Sequence, residues 1–69
     1  MKTTQLCKDF LRMRRGETFT SLSAAQKMEE IWGIYPERST MAMAIEYLVE
    51  SKEATLVGSL DNRVQVIIN

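Results

Sequence analysis

The chain has no histidine, one cysteine, one proline and three glycines in 69 residues. Cys7 has no second cysteine to pair with, and without histidine there is no credible zinc-ligand set. Apolar runs fall far short of the roughly 20 residues that cross a bilayer, and the N-terminus lacks the apolar segment and cleavage site of a signal peptide. These absences lead to the expectation of a cytoplasmic protein, neither secreted nor membrane-spanning. Gly16, Gly33 and Gly58 stand apart from one another and match no phosphate-binding glycine loop. Nucleotide binding therefore has no support.

Catalysis is poorly provided for as well. Covalent or acid–base chemistry needs a nucleophile beside a base, carboxylates in contrasting environments, or a metal. Cys7 falls on an apolar helix face with no histidine to generate a thiolate, so it reads as a small core side chain. Glu29 and Glu30 are adjacent, point about 100° apart on a helix and cannot share a substrate atom. The expectation is a non-enzyme with no cofactor, no metal and no small-molecule substrate.

What is present suits one domain covering residues 1–69. A chain of this length buries only about 60% of the surface its unfolded form exposes, which makes a homodimer compatible though not required. The formal charge of zero hides an asymmetry. Residues 1–15 carry Lys2, Lys8, Arg12, Arg14 and Arg15 against Asp9, whereas residues 16–69 carry twice as many acidic as basic side chains.

Helical spacing joins Leu6, Phe10 and Met13, with Cys7 and Leu11 beside them, into one apolar arc between Thr3 and Arg15. Lys8, Arg12 and Arg15 gather on the other side, and Gly16 supplies a left-handed stop. Residues 17–20 read as an extended link carrying Phe19, with room for a short extra strand. Ser23 to Gln26 fit a capping box that opens a second helix, on which Ala24, Ala25, Met28, Ile31 and Trp32 share a face. Trp32 reads as core and not as a base-stacking anchor.

After Gly33, Pro36 is placed to open a third helix with Met41, Ala44, Ile45, Leu48 and Val49 as its core stripe. β-Branched residues then dominate 54–57 and 64–68, separated by the turn-forming stretch Gly58 to Asn62. The expected fold class is thus α+β, three helices followed by a C-terminal antiparallel hairpin.

That order, together with Trp32-Gly33-Ile34-Tyr35-Pro36-Glu37-Arg38-Ser39-Thr40, resembles the small winged helix-turn-helix regulatory proteins. The likeness covers nearly the whole chain but only at the level of layout. Glu29 stands where such motifs usually carry a small residue, and the turn holds a proline. Size and layout are similar to small regulators of enterobacteria and their mobile elements, bacterial or phage. The resemblance implies a winged-helix-like fold and a DNA-binding transcriptional regulator. The alternative is a protein-binding adaptor or inhibitor on the same scaffold.

Two sets of residues follow from these alternatives. DNA contact would fall to Lys8, Arg12 and Arg15 on the first helix, Arg38, Ser39 and Thr40 at the start of the third, and Arg63 at the hairpin turn. Protein contact would fall to Met43, Glu46, Tyr47 and Glu50 on the outer side of the third helix. That side is acidic where a groove-reading helix is normally basic. Tyr47 has a competing expectation as core beneath the hairpin. The partner is accordingly DNA or a regulatory protein.

Overall fold

The computed structural model describes residues 3–69, so Met1 and Lys2, with the positive charge of the latter, lie outside the described residues. Helix α1 runs Thr3–Arg12 and buries Cys7, Phe10 and Leu11. It ends three residues before Arg15 because the amides of Met13 and Arg14 turn back to the carbonyls of Phe10 and Leu11, at 3.1 and 2.9 Å. Those i→i−3 bonds tighten the last turn and swing Met13 off the apolar arc. Met13 is 71% exposed, which corrects its expected place in the core. Gly16 sits at φ 88°, inside the left-handed region, and its N–H donates to the Ile68 carbonyl at 2.7 Å.

Strand β1, Thr18–Phe19, follows directly and pairs antiparallel with the final strand in the register Thr18↔Ile67 and Phe19↔Val66. Helix α2, Ser21–Trp32, starts earlier than the Ser23–Gln26 signal implies. Its capping box is Thr20 with Ser23: the Ser23 amide donates to the Thr20 hydroxyl at 3.2 Å and the Thr20 amide to the Ser23 hydroxyl at 2.9 Å. A serine at the third helical position thus takes the place usually held by glutamate or glutamine. Gly33, at φ 73°, closes the helix by donating to Glu29. Ile31, expected on the inner face, is exposed.

Pro36 is buried in an extended connection and precedes helix α3, Arg38–Glu50, instead of opening it. Met41, Ala44, Ile45 and Leu48 face inward as their spacing predicts. Strands β2, Ala54–Leu60, and β3, Arg63–Ile68, are joined by Asp61 and Asn62 at φ 53° and 64°. Two successive left-handed residues make the primed turn that matches strand twist, so the ribbon extends three residues beyond the expected strand end at Val57. Between Leu56 and Gly58 the register slips, leaving Val57 as a bulge.

The α+β class stands. The winged-helix-like description is corrected to three helices with a sheet of three antiparallel strands in the order β1-β3-β2, in which the terminal hairpin is joined by the short strand expected near residues 17–20. Its first strand comes from the link between α1 and α2, so the sheet belongs to both ends of the chain, and three helices with such a sheet are not diagnostic of that family. The physical cause is β3, which has a ladder on each side, while Phe19 gains burial beside Phe10 at 6.5 Å between ring centroids. Phe10 also meets Trp32 edge-on at 5.2 Å. Around this aromatic group pack Leu11, Met28, Met41, Ile45, Leu48 and Val66, all buried. No helix among the described residues is long and apolar enough to cross a membrane.

Candidate functional site

The basic side chains of α1 and its C-terminal turn are largely occupied within the molecule. The Arg12 guanidinium donates to both carboxylate oxygens of Glu53, at 2.8 and 3.2 Å, and lies 3.7 Å from Asp9. Hydrogen bonding from Arg12, and then from the Ser51 hydroxyl at 2.6 Å, holds the Glu53 carboxyl below the usual range; the bond to Glu53 in turn raises Arg12. Arg15 Nε donates to the Asn69 carbonyl at 3.0 Å. Arg14 Nε is 2.7 Å from a Glu17 oxygen. Lys8 places its ammonium 3.9 Å from the centroid of the Tyr47 ring, a cation–π contact. A phosphate approaching this side would have to displace carboxylate partners at Arg12 and Arg14, whereas the contacts of Lys8 and Arg15 leave most of their N–H donors unused.

Of the remaining cationic and polar groups proposed for DNA, Arg38 and Ser39 are exposed at the start of α3 and Thr40 is half-buried. Arg63 is half-buried at the turn and donates to the Asp61 carbonyl at 3.3 Å. The residues expected at DNA thus lie on three elements: α1 with its C-terminal turn, the start of α3, and the ribbon turn.

On α3, Met43, Glu46, Tyr47 and Glu50 all reach solvent, and Tyr47 carries Lys8 against its ring instead of the hairpin. Beside them lies a cleft of about 250 Å³ between α3 and the β2–β3 ribbon, lined by Ala42, Ile45, Glu46, Val49, Leu56 and Val64. Its floor is apolar, and its polar contribution comes from Glu46. Neither Glu46 nor Glu50 has an ion-pair partner among the described residues. The volume lies under the roughly 300–1,000 Å³ of small-molecule sites, so the cleft is of a size for one or two anchoring side chains.

The ribbon side of this cleft carries no motif that marks it in the sequence. Leu56 and Val64 read as ordinary strand residues, yet each is more than half exposed, as are Val57 and Leu60. The available signal is the mismatch between two apolar strands and the few helical faces left to cover them. A second recess, of about 430 Å³, is lined by Arg12, Arg15, Lys52, Glu53, Ile68 and Asn69; its rim is tied together by the Arg12–Glu53 and Arg15–Asn69 bonds. Cys7 is buried with its sulfur 4.0 Å from that of Met28, and burial pushes its thiol upward, away from the reactive thiolate. No cluster of three or more metal-ligating side chains occurs among the described residues.

No family model matches the chain, and no curated protein or solved structure matches it either.

Proposed function

We propose that the chain is a protein-binding regulatory domain, and that the cleft between α3 and the ribbon receives a basic, apolar-anchored segment of another protein. The observation that carries this is the pairing of an open apolar floor, Ile45, Val49, Leu56 and Val64, with unpartnered Glu46 and Glu50 beside it. Apolar side chains in the cleft would supply affinity, while the carboxylates would select lysine or arginine flanks and speed encounter. Met43, long, unbranched and exposed on the same helix as Glu46 and Glu50, would adapt to different anchors.

A DNA-binding transcriptional regulator is the second reading, supported by exposed Arg38 and Ser39, which a phosphate can reach without breaking an ion pair among the described residues. Against it stands the electrostatic cost of bringing Glu46 and Glu50 toward a polyanion.

A salt titration separates the two. The probes are a mixed-sequence duplex and an amphipathic leucine–lysine peptide, each titrated into the protein at several ionic strengths. Peptide binding that weakens with Glu46→Gln/Glu50→Gln and with Met43→Asp, alongside negligible duplex binding, supports the protein-binding reading. Duplex binding with a steep negative salt slope, flattened by Lys8→Gln/Arg12→Gln/Arg15→Gln, overturns it in favour of DNA.

A further inference from the structure

We infer that a second copy of this chain pairs antiparallel with the open edge of β2, joining two three-stranded sheets into one of six strands. The sheet order β1-β3-β2 leaves one side of β2 without a neighbouring strand. That strand is Ala54-Thr55-Leu56-Val57-Gly58-Ser59-Leu60, and every residue after Ala54 is exposed. Edge strands are normally blunted by lysine, proline, inward charge or shortness. β2 is seven residues long and has neither charge nor proline. Its one blunting device is the bulge at Val57, which bends the strand but leaves this apolar side chain 53% exposed.

The occupant is a second copy because the strand is electrostatically compatible with itself. In an isologous pair each residue meets the same surface on its partner, and like charges directly opposite one another are destabilising. A strand free of charge escapes that penalty in any self-register. Full overlap of the seven residues puts the centre of symmetry at Val57, so Val57 opposes its own copy, Leu56 opposes Gly58 and Ala54 opposes Leu60. The pairing satisfies open backbone groups and sets the exposed apolar side chains of the two strands beside one another on the sheet.

The dimensions set the strength. Seven residues at about 3.3 Å each span roughly 23 Å, close to the 24 Å intermediate axis of the molecule. An interface one strand long belongs at the small end of the specific range, under roughly 1,200 Å² in total. The dimer is consequently a concentration-dependent equilibrium. Edge pairing leaves both sheet faces as they are, so the two clefts open on the same side of one continuous sheet and the assembly becomes bivalent.

Sedimentation velocity from low micromolar to near-millimolar protein tests this without reference to the cleft. The wild-type chain is expected to pass from monomer to dimer over that range. Val57→Lys is expected to weaken association up to about fivefold through facing like charges, and Val57→Glu should do the same. An equimolar mixture of the two variants should restore dimer, because opposite charges then meet at the centre. Circular dichroism establishes that both variants remain folded, since Val57 is exposed and takes no part in the β2–β3 register. A wild-type chain that stays monomeric at the highest concentration overturns the inference. So does undiminished dimerisation of both variants, or a mixture no better than either alone. Failure here leaves the leucine–lysine peptide result unaffected, and the converse also holds.

Discussion

The two ends of the β2–β3 ribbon are made of the same kinds of residue and meet opposite fates. At the inner end Ala54, Val66 and Ile68 are buried beneath the helices. At the outer end Val57, Leu60 and Val64 are each more than half exposed, as is Leu56 on the edge strand directly opposite Val66. Strand propensity is alike along the ribbon, so the difference comes from what lies over each strand and each face: Leu56 sits on the edge strand, and Leu60, opposite Arg63, falls on the face away from Val64 and Val66. α3 covers β2 near its start, and the chain between α1 and α2 closes on β3 through Phe19. Beyond that reach the ribbon continues on its own ladder and turn. Apolar content is therefore a poor guide to burial in a domain whose helices are shorter than its sheet needs.

The largest predicted effect tests the closed end. Phe10→Ala removes a ring that contacts both Phe19 and Trp32 and should cost about 3–5 kcal/mol by urea denaturation. In a domain this small that approaches the whole stability. A loss below about 1 kcal/mol would mean the aromatic group is not the centre of the core. Next in size, Thr20→Ala removes the side chain that caps α2 at the point where β1 hands over to the helix. A loss of about 0.5–2 kcal/mol is expected, read in the same assay.

The outer end should behave otherwise. Leu56→Ser or Val64→Ser is expected to change monomer stability by no more than about 0.5 kcal/mol, since neither side chain is buried. Either change should still weaken binding of the leucine–lysine peptide. Hydrogen exchange sharpens the contrast: amides near Val66 and Ile68 should be protected to near the global stability, and those near Leu60 and Arg63 far less. Equal protection along the ribbon would erase the distinction between its two ends.

The smallest effect concerns pH. Glu53 is held below its ordinary range by Arg12 and Ser51, so its contribution is present above the unfolded carboxyl value and is lost as pH falls through the lower folded one. Glu53→Gln should flatten that acid-side slope of stability while leaving neutral-pH behaviour little changed, because the pair is open to solvent. A slope as steep in the variant as in the parent would assign the acid sensitivity to another carboxylate.

Several features are legible in the residues alone. The stripes Phe10, Cys7, Leu11 and Met41, Ala44, Ile45, Leu48 declare two buried helix faces, because apolar residues spaced at a 3.6-residue period fall on one side of a helix and on no single face of a strand. The stops at Gly16 and Gly33 are equally clear, since left-handed backbone favours glycine. Met13 departs from its spacing because one tightened turn is enough to rotate a side chain from core to solvent, and periodicity does not register where a helix unwinds. The outer acidic side of α3 follows from spacing, but the cleft beside it does not. A third of its lining, Leu56 and Val64, comes from β2 and β3, whose register depends on the bulge at Val57 and the turn at Asp61 and Asn62.

By itself, then, the sequence determined the α+β content, the order of helices and terminal strands, and the division of charge between the basic start and the acidic remainder. These are local properties, written in period, punctuation and side-chain type. Only the tertiary structure decided that β1 joins the sheet, that Arg12 and Arg15 reach Glu53 and Asn69, and that the outer ribbon lies bare. Each of those depends on residues tens of positions apart meeting at distances of a few ångströms, and no local pattern records which distant surface will arrive to cover a given face.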